Sequence, residues 1–202
     1  MKRGTRRRTP PFDHFGLLAP LYERVIRHED VATLRRLLEP RPTDLLLDVG
    51  GGTGRIAQHF RGEVGHICVV DLSWGMLWEA RAKAKLGVCQ GRVERLPFRD
   101  GAFPRIIAVD SFHHFQHHAQ GARELVRVLA PGGRLVIEEP DVRRFPVKLV
   151  AWAERLALMR SHFYPPSAML RFFGGPGLRV SLHEDTGVNF WLVVEKMKEE
   201  CL

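Results

Sequence analysis

The residues best suited to chemistry stand in three short stretches. The first is Asp48-Val-Gly-Gly-Gly-Thr-Gly54. Its glycines leave the backbone bare, so a sharp turn there can bring a ligand against main-chain N–H groups, with an acid at the entrance. The second is Asp71, roughly 20 residues further on, the spacing at which an acidic side chain on the next strand takes ribose hydroxyls. The third is Asp110-Ser-Phe-His-His-Phe115. An imidazole titrates near neutrality, so His114, and next to it His113, are the candidate bases for an acceptor that must lose a proton. His113, His114, His117 and His118 also offer i, i+4 pairs. No Asp, Glu or Cys accompanies them, and no metal is expected there. Glu138, Glu139 and Asp141 read two ways, as groups facing a substrate or as a solvated turn.

Strands and helices must hold these stretches in place. Residues 12–39 read as helical, interrupted at Pro20 and ended by Pro40 and Pro42. Short apolar runs at 44–49, 66–71, 88–93, 105–110 and 134–138 read as buried strands. Between them, 55–60, 73–85 and 119–129 read as helices, with Ser73 capping the second and Pro131-Gly132-Gly133 stopping the third. This alternation predicts an α/β fold, a Rossmann-like, doubly wound and mostly parallel sheet. The pattern changes after residue 141. A long helix is expected over 146–163, and a closing antiparallel strand pair over 178–184 and 188–196. The domain reading is a basic flexible tail at 1–11 and a single domain at 12–202, with 142–173 as a helical lid or cap.

The glycine stretch is not a dinucleotide fingerprint, since Arg55 stands where the third glycine belongs, and it lacks the Gly-Lys-Ser/Thr of a phosphate loop. An acid followed by Gly-x-Gly-x-Gly instead resembles the first motif of the class I S-adenosylmethionine (SAM)-dependent methyltransferases. Further motifs follow in order: Val70-Asp-Leu-Ser-Trp-Gly-Met-Leu77, then Gly91-Arg-Val-Glu-Arg-Leu-Pro-Phe-Arg-Asp-Gly-Ala-Phe103, then 110–115, then Arg123-Glu-Leu-Val-Arg-Val-Leu-Ala-Pro-Gly-Gly-Arg-Leu-Val-Ile137. They span residues 45–140 and are most similar to the ubiquinone/menaquinone-biosynthesis-like small-molecule enzymes.

The resemblance implies SAM as cofactor and a role for each matching residue. Gly50, Gly51, Gly52 and Gly54 line its methionine and ribose part, with Asp48 near its amino group. Asp71 takes the ribose hydroxyls, and Leu72 and Met76 flank the adenine, although Met76 reads equally as core. Arg92, Val93 and Glu94 meet the adenine edge, and Asp110 completes the set. Two positions depart from the family. Arg92 replaces an Asp that accepts from the adenine amino group, which an arginine cannot do. Pro104 replaces a structural Asp.

Composition narrows the setting. The net charge is +8, and Lys2, Arg3, Arg6, Arg7 and Arg8 carry five of those charges. The arm reads as a solvated tail, or as a weak contact with an anionic membrane surface or nucleic acid. A nucleic-acid partner is disfavoured. No apolar run reaches the roughly 20 residues of a membrane span, and no apolar stretch follows the basic start as in a secretory signal. Three scattered cysteines exclude a disulfide framework, and a cytoplasmic setting is expected. The expected activity is methyl transfer to the oxygen or carbon of a small aromatic or lipophilic acceptor. The apolar residues of 12–26 and 142–173 would enclose that acceptor. The alternatives are an RNA or protein methyltransferase guided by the arm, and a non-catalytic SAM- or partner-binding protein.

Overall fold

Strand β1 (Leu45–Val49) turns Leu46 to one side of a sheet and Leu47 and Val49 to the other, and all three are buried. A strand with both faces apolar needs a layer on each side. The computed structural model, which describes residues 30–145, 147–148, 161–184 and 187–198, supplies both layers. The seven strands run in the order β3-β2-β1-β4-β5-β7-β6. Strands β2 (His66–Asp71), β3 (Leu86–Gln90), β4 (Phe103–Val109) and β5 (Leu129–Pro140) join β1 in parallel. Strand β7 (Asn189–Lys196) runs antiparallel to β5 and to β6 (Leu178–Glu184), the expected closing pair.

On one face, helix α1 (Val31–Leu38) contributes Leu34, Leu37 and Leu38 to a core with Leu46, Val69, Ile107 and Val136. Asp30 caps it by accepting the Thr33 N–H at 2.8 Å. Helix α2 (Trp74–Ala82) adds Leu77 to the same face. On the other face, helix α3 (His118–Val128) packs Ala122, Leu125 and Val128 against Leu47, Ile106, Leu135 and Ile137. The short helix α4 (Pro166–Met169) brings Met169 to that core.

Helix α2 ends at Ala82 rather than Lys85, and β5 runs on both sides of the expected 134–138; two further elements differ more from the sequence reading. The expected helix at 55–60 is a series of turns over 52–56 and one 3-10 turn, Ala57–Phe60. Gly50, Gly52 and Gly54 all have positive φ, which breaks the right-handed path before a helix can nucleate. The third strand lies at Leu86–Gln90 rather than 88–93, because the chain turns at Gly91 into a tight loop closed by an Arg92–Arg95 bridge. The expected long helix lies mostly outside the described residues, and 161–163 are not helical. The basic arm and the apolar residues of 12–26 also lie outside them.

Candidate functional site

Strands β1, β2, β4 and β5 end at the same edge of the sheet, and their C-terminal residues converge there, as ligand sites in open α/β sheets do. Asp48, at the end of β1, is 1% exposed. Its Oδ2 has no hydrogen-bond partner among the described residues. Burial, then the nearby charge of Asp71, push its pKa up to about 7, opposed in part by a backbone hydrogen bond from Ala57. The turn lies directly on this carboxylate, and a Cβ at Gly51 would come within 2.4 Å of it. Gly50 has φ +69°, and a Cβ on it would meet the Ser111 Cβ at 2.6 Å, so only glycine fits. Gly54 is equally constrained, with Leu86 on its far side.

Asp71, at the end of β2, is fixed by two main-chain donors. Its Oδ2 accepts the Gly52 N–H at 3.0 Å and its Oδ1 accepts the Ser73 N–H at 2.8 Å. The Ser73 hydroxyl then accepts the Met76 N–H and caps α2. Thus the second acid, the glycine turn and the start of α2 lock one another. Met76 is buried, its sulfur 3.8 Å from where a Gly52 Cβ would stand, so it serves both core and cradle. Leu72 stands out from the same edge, 53% exposed.

The loop expected at the adenine edge divides. Val93 packs into the core near Gly121. Glu94 turns to the start of α3, where its Oε1 accepts the Gln116 and His117 N–H groups at 2.9 and 3.1 Å. Arg92 hydrogen-bonds Gln116 and lies 3.7 Å from Glu94. The side chains of Arg92 and Glu94 are therefore engaged with α3 and its leading loop.

The opposite wall is built on β4 and β5. Asp110 takes φ +49°, which swings the chain into the 3-10 turn Phe112–His114, and its carboxylate lies 3.9 Å from Arg55. Glu139, near the end of β5, is buried beneath that turn. Its Oε1 accepts the Ser111 and Phe112 N–H groups at 3.0 and 2.7 Å, and its Oε2 lies 2.5 Å from His113 Nδ1. The Phe163 ring stacks on His113 at 4.3 Å, and the His162 N–H donates to the His113 carbonyl. His114 Nδ1 lies 3.1 Å from the Ser161 hydroxyl. Burial, then proximity to His113, lower the His114 pKa to about 3. Behind the pair, His118 sits among Phe112, Tyr164 and Phe172. Met169 and Phe173, both counted toward the lid, are core residues.

Sequence reasoning left Glu139 undecided, did not single out Ser111 or Ser161, and noted Arg55 only for what it replaces in the glycine pattern. For Glu139 the available signal was an acidic pair ending an otherwise apolar strand. Alternation sends the two acids to opposite faces. Glu139 goes to His113, while Glu138 Oε1 accepts from the Asn189 side chain at 2.7 Å. Burial raises the Glu138 pKa to about 7.

Residues 47–137 match the family described as a methyltransferase domain. A ubiquinone/menaquinone biosynthesis C-methyltransferase from Ruegeria is 38% identical over 111 residues, 50% of this chain and 44% of that protein. One of the same description from Paracoccus denitrificans is 31% identical over 163 residues, 69% of this chain and 64% of that protein. The chain thus spans less than two thirds of the length of these relatives. Among solved structures, a SAM-dependent methyltransferase from Aquifex aeolicus superposes with a TM-score of 0.69 at 18% identity, covering 83% of this chain and 90% of that one. That likeness shows the fold.

Proposed function

We propose that this chain is a class I SAM-dependent methyltransferase, a reading supported by the methyltransferase-domain match over residues 47–137 and by the relatives it resembles, and that it transfers a methyl group from SAM to a small aromatic or lipophilic acceptor, at carbon or oxygen. The observation that carries this reading is the Asp48 carboxylate. A buried acid with a partnerless oxygen under a glycine turn is costly unless a cationic donor completes it. The ammonium of the methionine part of SAM is such a donor. Asp71, one strand away, has the chemistry to accept from ribose hydroxyls, and Leu72 and Met76 offer apolar surface to the adenine. Gly50, Gly51, Gly52 and Gly54 give the backbone close approach, and the half-buried Val93 stays available to the adenine edge only through its main chain.

When bound, SAM supplies an electrophilic methyl group on a sulfonium centre. The protein's task is to orient the acceptor and manage a proton. With Nδ1–H donated to Glu139, His113 carries its lone pair on Nε2, the atom that takes the proton of a phenol or enol. Glu139 steadies the resulting imidazolium. We assign this role to His113 rather than His114, whose low proton affinity suits it to closing the pocket. Phe163 excludes water from the ring it covers. The relatives' description as quinone-biosynthesis C-methyltransferases supports an aromatic, quinone-like acceptor and carbon as the methylated atom. We assign this work to the cytoplasm, where Cys68 and Cys89 stay as thiols.

Calorimetry with SAM, followed by transfer of labelled methyl to a panel of hydroxylated quinols, tests the reading. Binding and label in the quinol are expected. No SAM binding at millimolar concentration removes the enzyme assignment, and label only in RNA or protein removes the small acceptor.

A further inference from the structure

Helix α2 is apolar on both sides. Its inward face buries Met76, Leu77 and Ala80. Its outward face carries Trp74 and Trp78, 46% and 61% exposed. Four residues apart, they stand on one stripe of the helix, where a helix lying on a soluble domain ordinarily presents polar groups. Leu72 leads into the stripe from the edge of the sheet. At the C-terminal end of α2 the surface becomes basic, with Arg81 on the helix and Lys85 in the turn just beyond it. Arg81 and Lys85 are exposed and have no ion-pair partner among the described residues. The Arg61 guanidinium donates to the Ala84 carbonyl at 3.4 Å, which brings a third cation beside them. A cleft of about 330 Å³ at this end is lined by Arg61, His66 and Lys85 and by no acid. Glu79 is the one acid on α2, and it is a quarter turn away from Trp78.

We propose that this outer face of α2 is a membrane-contact surface for an anionic phospholipid bilayer. Indole rings combine an apolar body with one N–H donor and prefer the interfacial layer. Basic side chains beside them meet lipid phosphates. A protein partner of matching chemistry would need a hydrophobic groove rimmed with acids, whereas a bilayer supplies both features along its whole surface. Because Leu72 directly follows Asp71, docking on this face sets the cofactor edge of the sheet beside the lipid. The proposal goes beyond the methyl-transfer reading and holds whichever acceptor is used, since its readouts do not involve catalysis.

The test uses the full chain with phosphatidylcholine vesicles, with and without phosphatidylglycerol, and with brominated acyl chains as quenchers of tryptophan fluorescence. Binding to the anionic vesicles with quenching is expected. Trp74→Gln/Trp78→Gln should weaken partitioning by at least about tenfold and abolish the quenching, and Arg81→Gln/Lys85→Gln should weaken it by at least about fivefold with a shallower salt dependence. All four positions are exposed, so circular dichroism should show unchanged folding. If the tryptophan variant does not fold, quenching of the parent chain and the charge variant still decide. The proposal is overturned by absence of vesicle binding or by binding without quenching, which is the signature of the basic arm acting alone. It is also overturned by undiminished binding of the folded tryptophan variant, or by a tryptophan-dependent dimer that does not bind vesicles.

Discussion

The two walls of the candidate site are built from different materials. The glycine wall is mostly backbone, spread over residues 48–76, and its few side chains are tied to main-chain N–H groups within that one stretch: Asp71 to Gly52 and Ser73, Ser73 to Met76. The histidine wall is mostly side chains that meet across long stretches of chain. Glu139 reaches back to Ser111, Phe112 and His113, and Phe163 and Ser161 close over the histidines from beyond. The first wall suits a ligand of invariant shape. The second can be rebuilt around a different acceptor by changing a few side chains.

If the histidine wall hangs on Glu139, removing that carboxylate should have the largest effect. Glu139→Ala leaves two main-chain N–H groups and His113 Nδ1 without their acceptor in a buried place. At about 1–3 kcal/mol for each unsatisfied group, the loss should be about 3 kcal/mol or more, read by urea unfolding. Glu139→Gln sharpens the comparison. Its carbonyl can still serve the backbone donors, but its amide then faces His113 Nδ1 and moves the ring proton to Nε2. Stability should largely survive, while kcat drops by about 100-fold with KM nearly unchanged, the size expected for loss of a general base. An unchanged kcat would remove His113 from proton transfer.

This contrast also explains what was legible in the sequence. The glycine turn, the alternation of strands and helices up to β5 and the closing pair β6–β7 follow from spacing, because each shows as a local glycine pattern or as apolar alternation. The helix expected at 55–60 did not form, since positive φ at three glycines outweighs the propensity of the residues after them. The partner of His113 was legible only as one of several acids near a strand end. Glu139 and Asp141 are alike as acids near a strand end. Only the sheet register, with Val109 opposite Glu138, decides which acid reaches under the turn. Exposed Trp74 and Trp78 were equally silent, because helical periodicity alone does not report which face of α2 meets the sheet.

On the glycine wall, Asp71→Ala should lower SAM affinity at least tenfold, since charge-assisted hydrogen bonds to ribose hydroxyls are worth about 1.5–3 kcal/mol each. The fold should survive, because Asp71 and Gly52 are only partly buried and water can enter the place the carboxylate leaves. Calorimetry reads the affinity and thermal unfolding reads the fold. Unchanged affinity would mean that the ribose sits elsewhere, and the neat division between the walls would be lost.

The last expected effect is a pH dependence, and it separates Asp48 from His114 by sign. Asp48 has a pKa of about 7 in the folded chain without ligand, against about 4 when unfolded. Between those values the folded chain holds a proton that the unfolded chain has released, so this group's contribution to stability falls as pH rises from about 4 to about 7 and is level above. Glu138, also raised to about 7, acts in the same direction. His114 acts oppositely. Its pKa is lowered to about 3, so from about pH 3 to about 6.5 the unfolded chain binds the extra proton and stability rises with pH. Asp48→Asn should therefore remove a falling component and leave the histidine component in place. A cationic amino group needs Asp48 ionised, so SAM affinity should climb between about pH 5 and 7, by no more than about tenfold per unit, and flatten above. The same substitution should abolish that climb. An affinity independent of pH in the parent chain over this range would show that the ammonium is not held by Asp48, and the partnerless oxygen under the glycine turn would need another ligand.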